Sequence, residues 1–82
     1  MSLLDFRRKL KKIDVLAEWD SEAKVWTATS NDVPGLVTEA DTLDELAEKL
    51  KVMIPEMLEA NDIPHIGGIP FSMRSELEAV AL

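Results

Sequence analysis

The sequence predicts an α+β domain in the order β-β-β-α-β, an antiparallel meander with one helix packed on it. Three observations predict this. Apolar residues alternate from Ile13 onward, a Pro34-Gly35 turn separates short β-branched runs, and Thr42 with Glu45 opens an apolar series of helical spacing.

In the first strand Ile13, Val15, Ala17 and Trp19 point one way and Asp14, Glu18 and Asp20 the other, the mark of one buried face, with Leu16 breaking the alternation. The polar stretch DSEAK has hairpin length, and VWTATS, rich in β-branched and aromatic residues, is the second strand, which sets Trp19 and Trp26 to meet across the hairpin. NDVPG combines turn formers with a proline that fixes φ and a glycine free to take positive φ; LVTEA then forms the third strand.

Thr42 and Glu45 form a capping-box pair, followed by Leu43, Leu46, Ala47, Leu50, Met53, Ile54, Met57 and Leu58 on one helical face. Asp44 and Glu45 lie in the first turn, where negative charge suits the helix dipole, and Glu45 to Lys49 is a favourable i,i+4 spacing. Pro55 predicts a kink near Lys51 or a restart there, because its turn lacks an N–H. NDIPHIGGIP is a cluster of breakers in which Asn61 suits a helix C-cap. The final stretch fits two patterns, a strand through Phe71, Met73, Leu77 and Ala79 or a short helix through Leu77, Val80 and Ala81; the alternation begun by Phe71 and Met73 favours the strand as a fourth member of the sheet.

Two regions of opposite charge emerge. Residues 1–12 form a basic arm or a short amphipathic helix (Leu3, Phe6, Leu10) carrying +4, so the overall −7 leaves −11 on residues 13–82. An acidic body repels nucleic acid and favours basic partners. Five basic residues make only a weak, salt-sensitive contact with RNA, a membrane surface or an acidic protomer, so a solvated arm is the preferred reading. With no cysteine in 82 residues, disulfides, thiol nucleophiles and cysteine-held zinc are excluded, and a reducing cytoplasm is the expected compartment. No apolar run approaches the ~20 residues of a membrane span and the start is charged, so neither a transmembrane helix nor a signal peptide is expected.

The stretch DVPGLVTEADTLDEL resembles the central motif of the HicB antitoxin superfamily. In that family a PDLPG turn, a short strand ending in a Gly-Asp-Thr-like step and an acidic helix start follow a hairpin with an aromatic in its second strand. Asp32, Pro34, Gly35, Thr38, Asp41, Thr42 and Glu45 match this pattern as turn and cap residues, and Trp26 stands where the hairpin aromatic is usual; the likeness runs from about Ile13 to Asn61. Leu36 replaces the cysteine of many members and Ala40 the usual glycine, so residues 13–82 look like a divergent branch. The chain stops at Leu82 without the DNA-binding domain that many members carry, so a single-domain branch with no direct DNA binding is expected.

The resemblance implies a partial RNase H-like fold, usually dimeric or higher. It also implies an antitoxin, or an orphan relative of one, that neutralises a small basic RNA-cleaving toxin of the HicA type. An acidic body suits such a partner. The alternatives are a stand-alone homo-oligomer, paired through the basic arm or the Phe71 strand, and a metal-dependent nuclease using Asp14, Asp32, Glu39 and Asp41. Turn and cap duties already explain Asp32 and Asp41, so no enzyme, metal or cofactor is expected. His65, the only histidine, sits in a breaker-rich loop without evident partners, and Ser21, Ser30, Ser72 and Ser75 lack a nucleophile signature. The tryptophans read as core or sheet-face residues, because a stacking platform for bases would need a basic groove. Trp26, Phe71 and Met73 are the candidate interface residues.

Overall fold

The computed structural model describes residues 12–82, so the basic arm or helix expected at 1–12 lies, save for Lys12, outside the described residues. Ile13–Asp20 (β1), Val25–Thr29 (β2), Val37–Ala40 (β3), Leu43–Ala60 (α1) and Phe71–Glu76 (β4) follow one another in the expected order. The sheet order is β3-β2-β1-β4, with β1–β2 and β2–β3 antiparallel and β4 parallel to β1. The fold is thus a meander extended by a parallel edge strand, with α1 and the 61–70 connection carrying the chain from one edge of the sheet to the other.

The alternation is realised as burial. Ile13, Val15 and Ala17 of β1 and Ala28 and Ala40 of the next two strands pack beneath Leu46, Leu50, Ile54 and Leu58 of α1, with Val33 and Leu36 closing the core. Small residues in the middle strands let the helix approach closely, and α1 lies nearest β3 and β2. Trp19 and Trp26 pair across the hairpin as the alternation implied, with ring centroids 5.4 Å apart and planes tilted by 60°. β4 contributes Phe71 and Met73, both half-buried against this core. The strand ends at Glu76, so Leu77 and Ala79 do not continue it, and no helix forms beyond.

Local chemistry accounts for each turn. Asp20 Oδ1 accepts from the N–H groups of Glu22 and Ala23 (3.0 and 3.1 Å), while Lys24 at φ 59° donates its N–H to the Asp20 carbonyl and closes the hairpin. Leu36 N–H reaches Val33 O at 3.1 Å across Pro34-Gly35, with Gly35 at φ 81°, the arrangement of a type II turn. Leu36 therefore belongs to the turn and the core, and β3 starts at Val37. Of the expected capping box one half forms: Thr42 Oγ1 accepts the Glu45 N–H at 3.1 Å, while among the described residues no bond returns from the Thr42 N–H to the Glu45 carboxylate.

At its far end the helix closes in a Schellman motif: Asp62, at φ 55°, bonds Glu59 O, and Ile63 N–H bonds Leu58 O at 2.9 Å. Asn61 is the cap, and its Nδ2 also bridges Met57 O (2.8 Å) and Pro34 O (3.1 Å), tying the helix end to the Pro-Gly turn. Two helix expectations meet the structure at α1. Of the kink or restart expected at Pro55 the restart does not occur: the helix runs through Pro55, with Lys51 exposed so that water can take the carbonyl the proline leaves unpaired. Lys49 does not pair with Glu45; its Nζ donates to the Glu39 carbonyl at 2.6 Å, and among the described residues the ion pair on α1 is Lys51–Glu48 at 2.9 Å.

Candidate functional site

Burying one face of the sheet beneath α1 turns the other face outward, and strand register decides which side chains meet there. That face carries Asp14, Leu16, Glu18 and Asp20 from β1, Val25, Thr27 and Thr29 from β2, Val37 and Glu39 from β3, and Ser72, Arg74 and Glu76 from β4. Glu76 lies beside Glu18, Glu18 beside Thr27, and Thr27 beside Glu39, so one transverse row holds three carboxylates. Adjacent strands are about 4.8 Å apart, which places Glu18 and Glu76 at like-charge contact range. The parallel row holds Arg74, Leu16, Thr29 and Val37, the last 63% exposed. Arg74 is the one cation among the described residues of this face.

A cleft of about 280 Å³ opens at the start of β1, lined by Asp14, Leu16, Thr29, Ser30, Asn31, Asp32 and Arg74. Its acids have structural work. β2 ends at Thr29, so the backbone of Asp14 has no strand residue opposite it; Asp32 Oδ2 accepts the Asp14 N–H at 2.9 Å and Ser30 Oγ donates to the Asp14 carbonyl at 2.6 Å. Two side chains thereby extend the β1–β2 ladder past the end of β2. Ser30 Oγ also accepts the Asp32 N–H at 3.1 Å, and Ser72 Oγ donates to Asp14 Oδ1 at 3.3 Å.

Of the acids considered for a nuclease, Asp14 and Asp32 meet, whereas Glu39 lies on β3 and Asp41 in the bend after it; among the described residues no three metal-ligating side chains converge. Ser21 is exposed beyond the end of β1 and Ser75 lies on the helix side of β4. His65 is half-buried, with a buried Nδ1 that has no hydrogen-bond partner among the described residues. The motif residues serve architecture: Asp32 the ladder, Pro34 and Gly35 the turn, Thr42 and the Glu45 backbone the cap, and Thr38 a half-buried position opposite Ala28. Asp41 is exposed just before the cap. Of the candidate interface residues, Trp26 is turned toward Trp19 and the core, while Phe71 and Met73 lie on the edge strand. Sequence reasoning did not single out Glu18 and Glu76 as neighbours. Their alternation was visible, but their adjacency depends on which strand β4 joins.

The model of a domain of unknown function (DUF1902) matches residues 12–81. A crystal structure of hypothetical protein TTHA1013 from the extremely thermophilic bacterium Thermus thermophilus is 47% identical in sequence, with a TM-score of 0.67, over 88% of this chain and 99% of that one. No curated protein matches the chain. None of the helices of the described residues is long and apolar enough to cross a membrane.

Proposed function

The chain belongs to the DUF1902 family, and from that premise we propose that it is a HicB-like protein-interaction module, an antitoxin or an orphan relative of one, working by binding rather than by catalysis in the cytoplasm. Its partner is a small basic RNA-cleaving protein of the HicA type. The observation that carries this reading is the row Glu76–Glu18–Thr27–Glu39 on the helix-free face of the sheet. Like charges on neighbouring strands cost free energy in the unbound protein, and lysine or arginine side chains laid across the row would relieve that cost. The net charge of −7 adds long-range attraction for such a partner. The agreement of Asp32, Pro34, Gly35, Thr42 and Glu45 with the HicB turn-and-cap pattern supports the same reading; in this chain Asp32 holds the Asp14 N–H, Pro34-Gly35 form the turn, and Thr42 caps the Glu45 N–H.

The test is calorimetric titration of a small basic HicA-type RNA-cleaving protein into the wild-type chain and into the Glu18→Gln/Glu39→Gln variant, at low and high salt. An RNA-cleavage assay of the mixture runs in parallel. The expected result is suppressed cleavage, salt-sensitive binding and an affinity at least about tenfold lower for the variant. Binding indifferent to both salt and the two substitutions would overturn the proposal.

A further inference from the structure

The two edges of the sheet are not alike. The bond from Ile13 N–H to Pro70 O, 2.9 Å, together with the parallel register, directs the backbone groups of Ser72, Arg74 and Glu76 to β1 and leaves those of Phe71, Met73 and Ser75 pointing away from the sheet. Among the described residues no donor or acceptor meets these outward groups. At the opposite edge β3 is only four residues long, and Lys49 occupies the outward carbonyl of Glu39. β4 is six residues long; it carries the charges of Arg74 and Glu76 but no lysine, proline or bulge.

The apolar alternation also outlasts the strand. Phe71 and Met73 continue as Leu77, which is 56% exposed, yet β4 leaves β1 at Glu76. Glu76 already stands beside Glu18, and pairing carried two residues further would set Glu78 beside Asp20. Like charge therefore disfavours β1 as the partner of residues 77–79.

We propose that β4 pairs with β4 of a second copy of this chain, antiparallel about a two-fold axis through Ser75, joining the two sheets into one. At this register Arg74 lies opposite the partner's Glu76, Met73 opposite the partner's Leu77, and Phe71 opposite the partner's Ala79. Only registers differing by two residues keep the helix-side faces together. The neighbouring ones set Arg74 against the partner's Arg74 or Glu76 against the partner's Glu76, so charge selects this register over both. Backbone direction agrees. Ser75, Met73 and Phe71, whose N–H and C=O groups point outward, form the hydrogen-bonded pairs, and Arg74 with the partner's Glu76 falls in the narrow non-bonded pair, where side chains are closest. The contact is isologous, so each ion pair and each Met73–Leu77 contact occurs twice. A second copy also supplies the guanidinium that Glu76 lacks beside Glu18.

The experiment is sedimentation equilibrium of the full chain and of Arg74→Glu, Glu76→Arg and the double charge swap, with circular dichroism to verify folding. A Ser75→Cys variant is oxidised alongside, in a sequence that has no other cysteine. The proposal expects a wild-type dimer, dissociation constants raised at least about tenfold in each single variant, and recovery in the charge swap. Ser75→Cys should cross-link two chains, because a hydrogen-bonded antiparallel pair has Cα atoms about 5.5 Å apart, within disulfide range. A monomeric wild type, or a dimer that survives Arg74→Glu and fails to cross-link through position 75, would overturn it.

Discussion

Substituting Gly35 by alanine tests the joint between the turn and the helix. Gly35 sits at φ 81°, and a Cβ built there would lie 3.1 Å from Met57 Cε. A non-glycine residue in the left-handed region costs about 1–2 kcal/mol. Reduced freedom of the unfolded chain returns about 0.4–1 kcal/mol. Met57 Cε, the far end of a flexible thioether, need give way by only a small shift, far short of the ~30° deviation that costs about 0.5–1.5 kcal/mol, so the contact adds about 0.5 kcal/mol or less. The net expectation is a loss of about 1 kcal/mol, or ~4–8 °C in Tm for a domain of this size. Urea unfolding followed through the Trp19–Trp26 pair measures it. Repeating Gly35→Ala in a Met57→Ala background removes the steric part and should reduce the loss by a few tenths of a kcal/mol, a coupling that a double-mutant cycle isolates. A loss below about 0.5 kcal/mol in the wild-type background would refute the turn argument, and equal losses in both backgrounds would refute the contact with Met57.

Four further outcomes are expected. Asp62→Gly should stabilise the protein by about 0.5–1 kcal/mol in thermal unfolding, because Asp62 holds the left-handed position of the Schellman motif at φ 55°. Thr42→Ala should cost about 1 kcal/mol and Thr42→Ser much less, since only the hydroxyl that accepts the Glu45 N–H is at stake. Asn61→Ala removes the donor to Pro34 O and Met57 O, and should cost about 1–2 kcal/mol and raise amide exchange in the 33–36 turn as well as at the helix end. Glu18→Gln should raise stability by about 0.2–1 kcal/mol at low ionic strength, with the gain fading at high salt, because it separates a like-charged pair with Glu76.

The elements were legible because each rests on chemistry local to the chain. Alternation from Ile13 names a strand and its buried face, Pro34-Gly35 names a turn, and Thr42 with Glu45 names a helix start, all decided by residues within a few positions of one another. The Trp19–Trp26 pair was legible for the same reason, since a short hairpin leaves little choice of register. Competition for a side chain was not legible. Lys49 had Glu45 one turn away, but the edge carbonyl of Glu39 offered a partner that became visible only when α1 lay on the sheet. Asp32 read as a turn residue, while its bond to the Asp14 N–H spans eighteen positions and depends on where β2 ends.

By itself the sequence determined the order β-β-β-α-β, the core faces of β1 and α1 and an acidic body with no cysteine, because burial periodicity and capping act within a segment. Tertiary structure alone decided that β4 joins β1 in parallel, and with that the adjacency of Glu76 and Glu18, the end of the strand at Glu76, and the outward direction of the Phe71, Met73 and Ser75 backbones. Those relations connect residues more than fifty positions apart, and the free energy that selects them is shared by the whole core rather than carried by any local pattern.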